Sequence, residues 1–276
     1  MLINFNKYFY YAKKIFGLTN SYLGIYENWN KALLNSKTYQ DKKTLNKIKN
    51  AAFFANKNSL YFRDGIVFDR YQYSSDVNFS LSFCMLFYSK KKIRILDYGG
   101  GLGNLYNQFY KLLTLSKLHK KFKFRWDILE QKNISDFGKK LFKKKNLNFF
   151  NVDNFNLKNN QYDIIILSAA LEFFEHPYKI LDNLKVTNFK FLVIDRTPFL
   201  SEENDGLEAG RDYLTVLKAG HGLSESYPCW ILNFKNIKDK LGKNYNLIYK
   251  FKSLGGAIYG KFGRADYQGC LFMRNK

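Results

Sequence analysis

The segment ILDYGGGLGN, residues 95–104, decides how the rest of the chain is read. The apolar run KIRILDY (92–98) ends in a carboxylate, Asp97, and passes into glycines at 99, 100, 101 and 103. Glycines in this setting let a strand turn sharply into a helix and let backbone approach a ligand. The helix expected next, LYNQFYKLLTLSKLH (105–119), sets Leu105, Phe109, Leu112 and Leu113 on one face. Its first turn offers unpaired N–H groups and the positive end of a dipole, which suit a carboxylate or phosphate.

Two ligand classes compete for such a turn. A dinucleotide wants G-x-G-x-x-G, but counting from Gly99 the third position is Asn104, and counting from Gly101 it is Tyr106. That template fails in both registers. S-adenosylmethionine, which has no phosphates but has a sulfonium and an amino-acid end, fits better. Asp97 can offset its positive charge, and Gly99, Gly100, Gly101 and Gly103 permit close approach.

Strand-like and helix-like segments alternate outward from this turn. FKFRWDILE (122–130) reads as a strand ending in Glu130, followed by a Lys-rich helix over about 134–145 and a strand LNFFNVD (147–153). YDIIILSAA (162–170) is the most apolar strand, as a buried parallel one should be. A helix over about 177–187 and the strand FKFLVIDRTPF (189–199) come next. Beyond a long irregular stretch, PCWILNFKNIKDKLG (228–242) reads as helix, and YNLIYKFKS (245–253) and YQGCLFMRN (267–275) as strands. This alternation predicts an α/β fold, doubly wound, with ligands at the strand C-termini. Glu130 is placed to accept ribose hydroxyls, Asp153 an adenine amino group, and Ser168 to touch the cofactor.

The residues ILDYGGGLGN match the first motif of class I S-adenosylmethionine-dependent methyltransferases, and residues 92–199 resemble that family. The chain is further similar to a group of methyltransferases of bacterial surface-polysaccharide (capsule, lipopolysaccharide) gene clusters. The segments that carry this are YFRDGIVFD (61–69), LDYGGGLGNLY (96–106), WDILEQ (126–131), LSAALEFFEHP (167–177), IDRTPF (194–199) and SYPCWI (226–231). The resemblance implies a mostly parallel, Rossmann-like seven-stranded sheet whose last strand, YQGCLFMRN, is antiparallel. It also implies methyl transfer to a glycan or glycan precursor, and Gln131 joins the cofactor-binding set through WDILEQ.

Methyl transfer needs the acceptor held in line with the S–CH3 bond, and a sugar hydroxyl benefits from a general base. His221, between glycines in a loop, is the preferred base, with Asp195 as the second catalytic candidate. Arg196 could hold an acceptor phosphate or carboxylate by its fork, or pair with Asp195 to anchor a loop. Tyr227 and Trp230 are an acceptor wall or core, and Arg63 with Asp64 closes over the site or braces a turn. His176 and His119 read as a capping residue and a surface residue. Glu202, Glu203 and Asp205 are adjacent in an acidic loop, and no metal is expected.

The chain has 276 residues, 46% hydrophobic and 18% aromatic, with only 3 prolines and no linker, so it can bury a large core. We expect an N-terminal helical extension or lid over 1–90 and the cofactor-binding domain over 91–276. Cys84, Cys229 and Cys270 show no CxxC spacing and suit buried free thiols in a reducing compartment, so a cytoplasmic location is expected. The N-terminal MLINFNKYFYYAKKIFGLTN is broken by Asn6, Lys7, Lys13 and Lys14, too polar for a signal core or membrane span, which leaves contact with a membrane surface open. The net charge of +22 raises an RNA methyltransferase as an alternative, but the lysines are dispersed and no RNA-binding module or NPPY motif occurs. A scaffold that has lost catalysis is the other alternative, opposed by the intact Asp97, glycines and Glu130. A small-molecule or glycan-precursor acceptor is therefore the expected partner, and an oligomer stays open.

Overall fold

The computed structural model describes residues 5–15, 19–37, 42–63, 65–88, 92–202, 210–220 and 225–275. In chain order they form α1 (Phe5–Ile15), β1 (Ser21–Tyr26), α2 (Trp29–Leu34), α3 (Lys42–Lys57), β2 (Tyr61–Arg63), β3 (Ile66–Phe68), α4 (Ser75–Phe87) and β4 (Ile93–Tyr98). There follow α5 (Asn104–Leu115), β5 (Phe124–Glu130), α6 (Lys132–Leu141), β6 (Leu147–Asn151), β7 (Ile164–Ser168), α7 (Pro177–Lys185) and β8 (Phe191–Leu200). The last are β9 (Tyr213–Lys218), β10 (Ser226–Ile231), α8 (Phe234–Leu241), β11 (Tyr245–Gly260) and β12 (Gly263–Arg274).

Seven strands make one sheet in the order β11-β12-β8-β7-β4-β5-β6. Strands β4 to β8 pair in parallel, whereas β12 runs antiparallel to both β8 and β11. This is the doubly wound, mostly parallel seven-stranded sheet with an antiparallel last strand that the sequence led us to expect. Period-2 alternation explains why it is covered on both faces. Ile93 and Ile95, Ile164 and Ile166, and Phe191 and Val193 point into one core with α3, α4, α5 and α6. Their neighbours Leu96, Ile165, Leu167, Leu192 and Ile194 point into a second core with α7 and α8. Both faces of β7 being dry, its five residues are all buried.

The 1–90 segment does more than cover the sheet. β1 joins β9 and β10 in a separate antiparallel sheet, order β1-β9-β10. Tyr10 and Tyr22 from the N-terminal part pack there with Cys229, Ile231, Tyr259 and Phe262.

Three expectations need correction. Residues 228–231 are strand rather than helix: β10 pairs along its length with β9, and its edge position tolerates Pro228, which has no N–H to give a ladder. The helix there is confined to α8, started by Asn233, whose side chain accepts from the Lys235 N–H, and ended at Gly242 with φ +70. The stretch read as irregular contains β9, whose Tyr, Thr, Val and Leu residues favour a pleated, buried setting. β11 also runs on to Gly260, past a register shift at Gly255 and Gly256 that lets the chain pass against the Tyr267 ring.

Candidate functional site

The site begins where β4 ends. Asp97 is 1% exposed; its Oδ2 accepts a hydrogen bond from Trp126 Nε1 at 3.1 Å, and its Oδ1 has no protein partner. Burial pushes this carboxyl up to about 7; the Trp126 donor opposes the rise, the Glu130 charge adds to it, and the Arg196 charge opposes it.

The glycines shape a cradle around that carboxyl. A Cβ on Gly100 would lie 2.5 Å from Asp97 Cγ, and one on Gly99 2.7 Å from Ala170 Cβ. Gly101 has φ +57 and nothing within 4 Å of where its Cβ would be, so the turn faces open space there. Gly103, at φ +78, precedes α5 and supplies no side-chain cap, leaving first-turn N–H groups available to an anion.

Glu130 comes from the end of β5, the neighbour of β4. Its Oε1 accepts from Gly101 N–H at 3.1 Å and its Oε2 from Gln131 N–H at 2.8 Å, so each oxygen keeps a lone pair for a further donor. Burial raises its pKa, and the two backbone donors oppose this. Gln131 itself is exposed. Asp153 is exposed on a short turn past β6, where its N–H donates to Asn151 Oδ1 at 3.2 Å, and among the described residues no hydrogen bond or ion pair joins it to the glycine turn.

A second polar cluster lies where β8 leaves β7. Parallel pairing ends at Ser168 opposite Asp195, and β12 shifts register between Gln268 and Cys270, so β8 bulges at Asp195 and Arg196. Arg196 sits there at φ +51, a conformation rare for a residue with a side chain. Asp195 accepts from Ser168 Oγ at 3.1 Å and Ser253 Oγ at 2.5 Å, with Arg196 Nε 3.9 Å away. Burial raises its pKa and Arg196 opposes the rise. The Arg196 guanidinium lies 4.5 Å over the Tyr73 ring. Asp195 and Arg196 are thus joined to each other, and Ser168 directs its hydroxyl to Asp195.

Sequence reasoning passed over Glu172, in the first turn after β7. It is wholly buried; its Oε2 accepts from Thr197 Oγ1 at 3.2 Å, and its Oε1 has no partner. Burial pushes it up to about 8. The only signal in sequence was a lone carboxylate among Leu171, Phe173 and Phe174, easily set aside in favour of His176 nearby. His176 is exposed beside Glu175, 4.0 Å away.

Tyr227 is half-buried on β10 and meets Phe173 edge-on at 5.1 Å, one residue from Glu172. Trp230 is half-buried and packs toward both Leu214 and α8-side residues. Arg63 lies 5.7 Å over Phe68 within the β2–β3 hairpin. His221 and Asp64 lie outside the described residues. Among the described residues no group of three His, Cys, Asp or Glu converges as metal ligands would, and no helix is long and apolar enough to cross a membrane.

An adenosyl amino acid with a cationic end fits this donor and acceptor set. The orphan Oδ1 of Asp97 can receive positive charge, the uncapped start of α5 a carboxylate, and Glu130 two hydroxyl donors, and the Gly101 face is open.

No family model matches the chain, and no curated protein matches it. Among solved structures, the chain is similar to the N-terminal domain of EvdMO1, determined in the presence of SAH and D-fucose, at 13% identity and TM-score 0.48, covering 87% of this chain and 100% of that one. An O-methyltransferase family protein from Burkholderia thailandensis aligns at 12% identity and TM-score 0.47, over 99% of this chain and 70% of that one. SAM-bound CalS10, an amino pentose methyltransferase from Micromonospora echinaspora, aligns at 11% and 0.46, over 72% and 91%. The fold assignment stands on the strand order and directions of the sheet itself.

Proposed function

We propose that the protein is an S-adenosylmethionine-dependent methyltransferase that acts on a hydroxyl of a sugar, nucleotide-sugar or related precursor of a bacterial surface polysaccharide. The observation that carries the cofactor reading is the buried Asp97 carboxyl, with Oδ1 unpartnered beside an open glycine turn. An uncompensated buried carboxyl is costly, and a cationic ligand removes that cost. When bound, S-adenosylmethionine supplies an electrophilic methyl group: the acceptor oxygen forms the new C–O bond with a lone pair, the S–CH3 electron pair stays on sulfur, and the hydroxyl proton passes to a base. Asp97 holds the positive end, Glu130 the ribose, and Gln131, Asp153 and Ser168 border the adenosyl group in this reading. His221 takes the proton, and Arg196, with Arg63 and Tyr227, orients the acceptor. The surface-polysaccharide acceptor rests on the motif resemblance alone.

Calorimetric titration with S-adenosylhomocysteine at pH 8 tests the cofactor. Saturable binding is expected for the wild type, weakened at least about tenfold in Asp97→Ala and in Glu130→Ala, each removing a charge-assisted contact. No binding to well-folded wild type would overturn the reading. Labelled methyl transfer to nucleotide sugars, with RNA as the competing acceptor, tests the substrate class; labelled RNA with unlabelled sugars would overturn it.

A further inference from the structure

A groove of about 320 Å³ opens between the end of α3, the β2 hairpin strand and α5, and no residue of the glycine turn lines it. Among its described lining residues are two lysines, Lys111 and Lys144, and no aspartate or glutamate. Lys144 is half-buried, and its Nζ donates to Asn107 Oδ1 at 3.1 Å. Lys111 Nζ donates to the Ser59 carbonyl at 3.5 Å. Neither lysine has a carboxylate partner among the described residues. Burial depresses the Lys144 ammonium below the usual lysine range, so its charge is held at a cost that no protein anion offsets.

The aromatic walls narrow the ligand further. Lys111 lies 4.8 Å over Tyr61, and Lys144 5.5 Å over Tyr110, whose ring also stacks on Tyr106 at 5.5 Å and 17°. These cations occupy ring faces on which a nucleobase would otherwise stack. What remains is suited to a polyol: hydroxyls of Ser59 and Tyr110, and the Nδ2 hydrogens of Asn107, whose Oδ1 is already engaged by Lys144.

We propose that this groove binds a phosphorylated saccharide, with its phosphate between Lys111 and Lys144 and its hydroxyls against Ser59, Asn107 and Tyr110. The site is separate from the glycine turn and does not depend on the methyl-transfer reading. A cavity of about 10 Å³, large enough for a water at most, shares Leu60, Tyr61, Phe62 and Asn107 with the groove and reaches Tyr73 and Asn104, but no glycine of the turn lines either one.

The full chain, titrated calorimetrically with glucose 1-phosphate, inorganic phosphate and glucose, tests this. Glucose 1-phosphate is expected to bind saturably and at least about tenfold more tightly than either of the others. Lys144→Gln and Lys111→Gln should each weaken it severalfold or more while leaving the circular dichroism spectrum and melting temperature near those of the wild type, which reports that the variants are folded. Equal binding of inorganic phosphate and glucose 1-phosphate would make this a bare anion site and overturn the saccharide assignment. Absence of binding to any phosphate, or binding indifferent to both substitutions, would overturn the site. S-adenosylhomocysteine binding in the same samples decides the methyl-transfer reading separately.

Discussion

Because Asp97 titrates at about 7 in the free protein, a ligand that meets it with positive charge must bind more tightly as the pH rises through that value. S-adenosylmethionine affinity is therefore expected to rise between pH 6 and 8, by up to about tenfold per pH unit below the midpoint, and to lose this dependence in Asp97→Asn. Trp126→Phe removes the Nε1–H that favours the ionised carboxyl, and should move the midpoint up by about one unit. Calorimetry across that range checks both; a flat profile in the wild type would mean the carboxyl is already ionised. Glu172 has a raised folded pKa, so the folded state keeps a proton that the unfolded chain loses, and stability falls as pH climbs from the ordinary Glu value of 4.5 to about 8. Glu172→Gln keeps the shape without the charge. It should be more stable than wild type at pH 8, by roughly 2 kcal/mol, with the gap shrinking at pH 5, as denaturant unfolding at the two pH values would show. At this scale the legibility of the site followed sequence distance. That Asp97, the glycines and Glu130 lie together was legible, because one turn holds the first two and the next strand ends in the third. The Trp126 donor, the Tyr73 face under Arg196 and the Ser253 hydroxyl on Asp195 were not, since each is a side-chain contact between two segments that leaves no mark in the sequence pattern of either.

Among the elements, the parallel strands were readable because burial on both faces leaves unbroken apolar runs such as IIILS in β7. β10 was not, because SYPCWI gives neither a clean two-residue nor a clean helical period, and its state is set by β9, which itself lay in a stretch without a clear pattern. The small sheet is tied to the large one through Tyr22 on β1 and Tyr267 on β12, whose hydroxyls share a hydrogen bond in a buried setting that raises both phenols. Tyr22→Phe strands the Tyr267 hydroxyl and should cost about 1–2 kcal/mol. Tyr22→Phe with Tyr267→Phe should cost less than the sum of the two single changes, since no hydroxyl is then left alone. Urea unfolding of the four proteins closes that cycle, and strict additivity would mean that the pair does not couple.

For the molecule as a whole, the dominant electrostatic fact is the net charge of +22. Dispersed like charges repel in the compact state, and salt screens them. Raising NaCl from about 50 mM to about 500 mM should therefore raise the melting temperature, by a few degrees at most. A fall instead would mean that attractive pairs, such as Arg125 with Asp127 or Lys240 with Asp182, outweigh the repulsion. The large sheet was foreseen in its entirety as a class, whereas the joining of β1 to β9 and β10 was not, because antiparallel pairing between distant segments leaves no periodic trace in either. That pairing has a consequence in time. Ser21 lies opposite Lys218, 197 residues later in the chain. At roughly 5–20 residues per second, a ribosome finishes the second strand on the order of ten to forty seconds after the first. Through that interval β1 has no ladder to join, and Tyr22 lacks the ring and hydroxyl it will later meet. The part of the protein synthesised first is thus among the last to settle, and a pause or truncation of translation before residue 218 would release a chain whose large sheet is partly formed and whose first strand is still without a partner.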